Sequence, residues 1–283
     1  MATNPEMLKI LVCDQCGGDY QVAGEQLVCQ SCGQMVPLQD GKPLFTAPPE
    51  QIVPTEKRDR APDKGTVWRR ENWRFLTEEI VRLPANSLVL DVGSGRGDFA
   101  TLLADMRHVA LEVYPYPETD LVCDLTQRNP LRPESVDAIV LANVLEHVYD
   151  GPALMAQLAQ AMKPGAALLV AIPFLLKVHQ APVDYVRLTH FALERLGEEN
   201  GLAVERIEGV YDAAALVTES LNNIRWWVLP QQSRLVRLMS RGLLALQTAL
   251  LALMRPLLPG THSANPHEES SPAPLGYHVV YRK

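Results

Sequence analysis

Four of the five cysteines in this 283-residue chain fall within its first 32 residues. Cys13 and Cys16 form one C-x2-C pair and Cys29 and Cys32 another, with twelve residues between the pairs. Glycine follows each pair, at Gly17 and Gly33, and lets the backbone turn beneath an ion. Two such knuckles present four thiolates to one point, the donor set of a closed tetrahedral zinc site. With no open coordination position, an ion held there is structural. It stabilises a segment too small to build its own core, by about 10–16 kcal/mol apparent in comparable peptides. Two disulfides or a redox pair are the alternatives. A redox motif needs only one pair, and disulfides do not persist where thiols are kept reduced. Cys123 stands alone and reads as a small buried hydrophobe.

A second reactive group lies at Asp91-Val92-Gly93-Ser94-Gly95-Arg96-Gly97-Asp98. The glycines separate an apolar, strand-like run from a stretch with helical character. A tight turn or a dinucleotide-binding loop are the competing readings. The spacing is G-x-G-x-G rather than G-x-G-x-x-G, and Asp91 stands where a pyrophosphate would dock. A carboxylate repels phosphate but suits a cation. S-adenosylmethionine carries an ammonium and a sulfonium and no phosphate. Glu112, about 20 residues further on, is placed to accept from both ribose hydroxyls. Asp124, after a third apolar run, is placed to accept from an adenine amino group. Asn143, Glu146 and His147 follow a fourth run, at the mouth of the same cleft.

Residues 173–189 (PFLLKVHQAPVDYVRLT) concentrate reactive side chains where an acceptor would sit. An oxygen nucleophile must lose a proton, and histidine suits that near neutral pH. His179 is the first candidate base and His147 the second, with His147 also suited to lining the cofactor pocket. The structural alternative makes His179, Asp184, Tyr185 and Arg187 a hydrogen-bonded scaffold, with Thr189 capping the next helix.

The elements that must position these groups are legible as alternating patterns. A helix carries Trp73, Leu76, Ile80 and Leu83 on one face and stops at Pro84. Strands are expected at 87–92, 108–113, 121–123, 136–142, 166–172, 202–210 and 277–281. Helices are expected at 98–107, 153–162 and 189–200, the last stopped by Gly201. Near-continuous apolar strands fit a parallel sheet covered on both faces. The expected fold class is α/β: a doubly wound, mostly parallel seven-stranded sheet, with a small N-terminal zinc ribbon and a helical insertion before the last strand. The division is 1–46 for the ribbon, 47–65 for a proline-rich linker and 66–283 for the main domain, with the insertion at 211–275.

The run ILVCDQCGGDYQVAGEQLVCQSCGQMVPLQDGKPLF resembles the zinc-ribbon family that includes the small activator subunit of tRNA and release-factor methyltransferases. The order DVGSGRGD, LEV, CDL, VDAIVLANVLEHV, LAQAMKPGAALLVAIPF resembles class I S-adenosylmethionine-dependent methyltransferases over about 87–210 and the last strand. That resemblance implies that Asp91, Gly93, Ser94 and Gly95 hold the methionine portion, Glu112 the ribose and Asp124 the adenine. Many relatives carry Asp at the position of Glu112, and the longer side chain shifts where the cofactor can sit. Asn143 is read as either a cofactor contact or a helix cap, and Lys163-Pro164-Gly165 as a structural turn. The H-x-x-P-x-D-Y-x-R-x-T stretch from His179 to Thr189 resembles a methyltransferase subgroup met in cell-surface polysaccharide contexts, which directs attention to a glycan acceptor.

The family joins its last two strands by a short hairpin, whereas here 211–275 intervenes. This excursion holds Trp226-Trp227 and a helix bounded by Pro230 and Pro256. Between 221 and 260 there are five arginines (Arg225, Arg234, Arg237, Arg241, Arg255) and no acid. It reads as an acceptor lid, a homodimer interface or a peripheral membrane element, and 260–274 as a polar, mobile stretch. With 26 basic and 33 acidic residues the net charge is −7, which disfavours nucleic acid as the general partner. No run of 18 or more apolar residues occurs, and the first residues lack a secretory pattern, so the expected location is cytoplasmic, peripheral to the inner face of the membrane at most. The expected activity is transfer of a methyl group from S-adenosylmethionine to an O or N nucleophile of an acceptor such as a glycan or a lipid-linked small molecule. The rival reading is a zinc-ribbon binding or scaffolding protein whose ribbon contacts RNA or a protein partner, with a vestigial methyltransferase fold.

Overall fold

The computed structural model describes residues 3–50, 65–223, 232–258, 260–268 and 274–283. Most of the linker (51–64), together with Arg225, Trp226-Trp227 and Pro230, lies outside the described residues.

The main sheet has eight strands in the order β11-β10-β12-β9-β8-β5-β6-β7. Five run parallel: β5 (Leu88–Val92), β6 (Arg107–Glu112), β7 (Leu121–Val122), β8 (Val136–Ala142) and β9 (Met162–Pro173). The last strand, β12 (Gly276–Arg282), inserts antiparallel between β9 and β10 (Ala203–Tyr211). Alternation along β5 sends Leu88, Leu90 and Val92 into one core layer and Val89 into the other. Helices α3 (Gly151–Ala161) and α4 (His190–Glu199) cover the first layer, through Leu154, Leu158, Leu193 and Leu196. Helix α2 (Val67–Ile80) covers the second, through Trp68, Phe75, Leu76 and Ile80. This is the doubly wound arrangement, and it brings the loops after β5, β6, β7 and β8 to one edge of the sheet.

Four local differences have physical causes. The helix expected over 98–107 is a single 3-10 turn, Ala100–Leu103, because successive i→i+3 bonds close there and β6 already begins at Arg107. The turn expected at Lys163-Pro164-Gly165 lies inside β9 as a bulge, where Gly165 takes a φ of 80°. The buried face of α2 includes Asn72 and Glu79, with Trp73 and Leu83 only partly buried. Periodicity of apolar residues misses such a face, because Glu79 is buried as the partner of Arg206, 2.5 Å away. The stretch expected to be mobile supplies an eighth strand, β11 (His262–Ala264), paired to the β10 edge.

The N-terminal unit has a short helix α1 (Pro5–Lys9) and a four-stranded antiparallel sheet, β1 (Tyr20–Ala23), β2 (Gln26–Cys29), β3 (Met35–Gln39) and β4 (Lys42–Pro43). It is docked on the main domain. Leu44 bridges Val122 of β7 in parallel, and Leu11 bridges Leu131. Met7, Ile10, Leu11, Leu27 and Phe45 join the same core layer as Leu121, Leu125 and Leu131. Arg128 spans the junction. It binds Asp14 through two nitrogens and stacks 4.9 Å from the Phe45 ring centroid.

The excursion forms α5 (Ala213–Asn223) and α6 (Arg234–Met254). On α6, Leu244 is buried, whereas Val236, Met239, Leu243, Leu246, Leu250 and Leu253 are 43–77% exposed. No described helix is long and apolar enough to cross a membrane.

Candidate functional site

The loop after β5 is shaped by left-handed glycines: Gly93 at φ 68°, Gly95 at 54° and Gly97 at 73°. A Cβ on Gly93 would fall 2.3 Å from Val144 Cγ2, so this turn also needs the absence of a side chain. The Gly95 N–H donates to Glu112 Oε2 at 2.9 Å, and the Val113 N–H to Glu112 Oε1 at 2.6 Å. Glu112 therefore clamps the glycine loop to the end of β6, and burial raises its carboxyl above the ordinary range. Asp91 is 3% exposed. Burial, then repulsion from Glu112 and Asp98, pushes its carboxyl up to about 7. It stands behind the loop and does not line the cleft, whereas Gly93, Ser94, Gly95, Glu112, Asp124 and Asn143 do.

The cleft encloses about 1240 Å³. Asp124 sits at one end, where its carboxylate accepts from the Thr126 N–H and hydroxyl and from Gln127 Nε2. The Asp124 N–H donates to Thr46 Oγ1 at 2.8 Å, so the ribbon helps place this corner. Asn143 adopts a φ of 56° directly after β8. It does not cap the following turn, whose N-cap is Val144. Its Oδ1 takes the Trp68 indole N–H at 2.7 Å, which fastens α2 to the cleft.

The other end of the cleft is built by the 3-10 turn Leu145–His147 and the 173–189 loop folded over it. The Tyr185 N–H donates to the Glu146 carbonyl at 2.8 Å, stitching loop to turn. His147 and His179 both line the cleft, with ring centroids 4.8 Å apart. His147 Nδ1 is 2.6 Å from the Val183 carbonyl. Burial lowers the His147 pKa, so its imidazole is neutral near pH 7. Asp184 pairs with Arg187 through two bonds, at 2.5 and 2.8 Å, and accepts from the His179 N–H. The Arg187 guanidinium holds the Asp184 carboxyl at about 2. Glu146 is wholly buried, and burial pushes its carboxyl up to about 8. Neither of its oxygens, nor His147 Nε2, has a hydrogen-bond partner among the described residues.

The family model for the methyltransferase domain matches residues 67–245. The chain belongs to this methyltransferase domain family. A curated protein of Mycolicibacterium smegmatis, named as an S-adenosylmethionine-dependent methyltransferase, is 29% identical over 168 residues. The match covers 52% of this chain and 65% of that relative, so the chain spans just under two thirds of its length. Among solved structures, a SAM-dependent methyltransferase from Archaeoglobus fulgidus aligns at TM-score 0.48 and 16% identity, covering 76% of this chain and 94% of that one. Phosphoethanolamine N-methyltransferase 2 of Haemonchus contortus, bound to S-adenosylmethionine, aligns at 0.44 and 14%, covering 76% and 52%. A chain from the complex of the Haloferax volcanii Trm112 methyltransferase activator with a methyltransferase aligns at 0.41 and 18%, covering 49% and 72%.

Within the methyltransferase domain, the expected site residues gather in one cleft except Asp91, which lies just behind it. The four cysteines gather separately, in the ribbon. Cys13 Sγ and Cys32 Sγ are 3.6 Å apart, Cys16 Sγ and Cys29 Sγ 3.5 Å, and all four thiols are free of disulfides. Sulfurs at about 2.3 Å from a tetrahedral zinc ion stand about 3.8 Å from one another, so the residues fit that ion. Lone Cys123 is buried, as a small hydrophobe would be. Sequence reasoning gave Glu146 no role. Its signal was an acid beside a histidine at the carboxyl end of a parallel strand, but nothing local foretold its burial. Trp68 and Asn72 were also missed.

Proposed function

We propose that this chain is an S-adenosylmethionine-dependent methyltransferase acting on an O or N nucleophile of a small-molecule or glycan acceptor. One observation carries the reading: a glycine loop clamped to Glu112 in a cleft that also presents His147 and His179. The bound cofactor supplies an electrophilic methyl group on a sulfonium. Gly93, Ser94 and Gly95 cradle its methionine portion, and Asp91 places a negative charge behind that cradle. Glu112 has lone pairs left for ribose hydroxyls and Asp124 for the adenine amino group, while Asn143 shapes the wall between them. His179 and His147 receive the acceptor, orient its nucleophile and serve the loss of its proton. The ribbon (1–46), with zinc on Cys13, Cys16, Cys29 and Cys32, buttresses the domain at 66–283 across the linker at 47–65. Calorimetric titration with S-adenosylhomocysteine tests the reading against the scaffold alternative. Binding in the wild type that is lost in Gly95→Asp supports it, and no binding in the wild type removes it.

For the excursion, the occupant we propose is a second copy of the chain. Val236, Met239, Leu243, Leu246, Leu250, Leu253 and Leu257 are spaced alternately by three and four and all are exposed. That is the spacing of a paired-helix seam, flanked by Leu238 and Met254, which are exposed as well. Arg234, Arg241 and Arg255 are spaced by multiples of seven, on the side away from the seam. Analytical ultracentrifugation should show a dimer that Leu243→Glu with Leu250→Glu dissociates. A monomer that co-sediments with anionic vesicles would instead establish a peripheral membrane contact.

A further inference from the structure

We propose that Glu146, His147 and His179 bind one divalent first-row transition ion at the acceptor end of the cleft. Their donor atoms all lie within 4.8 Å of one another. Glu146 Oε1 is 3.7 Å from His147 Nε2 and 3.7 Å from His179 Nε2. Those distances exceed a hydrogen bond, so the three groups do not satisfy one another directly. Donors held at about 2.0–2.1 Å by a tetrahedral ion stand about 3.4 Å apart, close to this spacing. Both oxygens of Glu146 and His147 Nε2 are buried without a partner among the described residues. Buried polar atoms are nearly always satisfied, and a single cation meets all three at once.

The surroundings orient the donors as metal sites require. The Val183 carbonyl takes the proton of His147 Nδ1, leaving the Nε2 lone pair toward Glu146. His179 Nδ1 lies 3.2 Å from the Lys177 carbonyl and 3.3 Å from Asp184 Oδ2, leaving its Nε2 on the same side. Asp184 is in turn held by Arg187, so both histidines have a fixed support. Two imidazoles and one carboxylate select zinc, iron(II), cobalt(II) or manganese(II) over magnesium or calcium. Three protein ligands leave a position open, and two of them line the cleft.

The catalytic use of this ion rests on the methyltransferase reading; its binding does not. An acceptor hydroxyl in the open position is acidified and gives its proton to water at the cleft mouth. The oxygen electron pair then forms the bond to the methyl carbon as the sulfonium S–CH3 bond breaks, and the electrons of that broken bond stay on sulfur as the thioether. His179 thus acts as a ligand that makes the nucleophile, rather than as the group that keeps the proton.

Cobalt(II) titration of the full chain, with its ribbon zinc in place, tests the proposal. The expected result is one equivalent bound with a visible d–d spectrum and no thiolate-to-cobalt charge-transfer band. Glu146→Gln and His179→Ala should each weaken this binding at least about 100-fold. His179 is 32% exposed on a loop, so its variant tests the site even where Glu146→Gln fails to fold. No such spectrum in the wild type, or one that persists in His179→Ala, overturns the site. S-adenosylhomocysteine titration of the same proteins reports separately. Its failure in the wild type removes the methyltransferase reading and leaves the metal result standing on its own spectrum.

Discussion

The two ends of the cleft treat buried charge in opposite ways. At the glycine loop, both oxygens of Glu112 are occupied by backbone N–H groups, and the Asp124 carboxylate by its own turn. At the other end, neither oxygen of Glu146 nor His147 Nε2 has a hydrogen-bond partner among the described residues. Carboxylates held this way keep their positions whether or not a ligand is present, although Ser94 Oγ on the same loop is buried without a partner among the described residues. An unsaturated site costs about 1–3 kcal/mol per neglected group and retains that cost for something it binds. On the proposed function, the first arrangement suits a pre-formed cradle and the second a site completed by what it binds.

The largest expected effect comes from breaking the saturated end. Gly95→Asp puts a side chain at a φ of 54° and a carboxylate beside the loop, and should weaken S-adenosylhomocysteine binding more than 100-fold by calorimetry. At the other end, His179→Ala should lower turnover by about 10²–10⁴ once an acceptor is in hand, with cofactor affinity within about twofold. A matching loss of cofactor affinity would merge the two ends into one. A smaller effect is expected from pH. The Asp91 carboxyl is raised to about 7 in the free protein, and a bound ammonium favours its ionised form. Affinity for S-adenosylhomocysteine should therefore be flat above pH 7 and fall as pH drops, by about tenfold at pH 6. Asp91→Asn should bind more weakly at pH 8 and lose most of that dependence. The smallest effect concerns the corner shared with the ribbon. Thr46→Val removes one hydrogen bond to the Asp124 N–H and should cost cofactor affinity a few-fold, while metal analysis still finds one structural zinc per chain.

The sheet was legible because parallel strands buried on both faces must be written as apolar runs, and 136–142 matches its strand to the residue. The glycine loop was legible for a similar reason, since few other residues tolerate its φ values. The 98–107 segment was not, because a 3-10 turn and an α-helix share apolar residues such as Phe99 and Leu103, and only the early start of β6 decides between them. Glu146 was named but given no role. Its burial depends on the 173–189 loop folding back over it, a contact between segments some 30–40 residues apart that no local pattern records. The docking of the ribbon was hidden in the same way, since Leu44 and Phe45 look like the tail of one unit until Val122 is placed beside them.

That docking bears on solubility. β7 is the outermost strand at its end of the main sheet, and an uncovered edge is a template for pairing with another chain. Here the Phe45 N–H donates to the Val122 carbonyl at 2.9 Å, so the backbone just after β4 occupies that edge. The segment is held in place by a ribbon whose order depends on its four thiolates. Under the proposed zinc ligation, a chain deprived of the ion is expected to bare this flank of its main sheet and to self-associate.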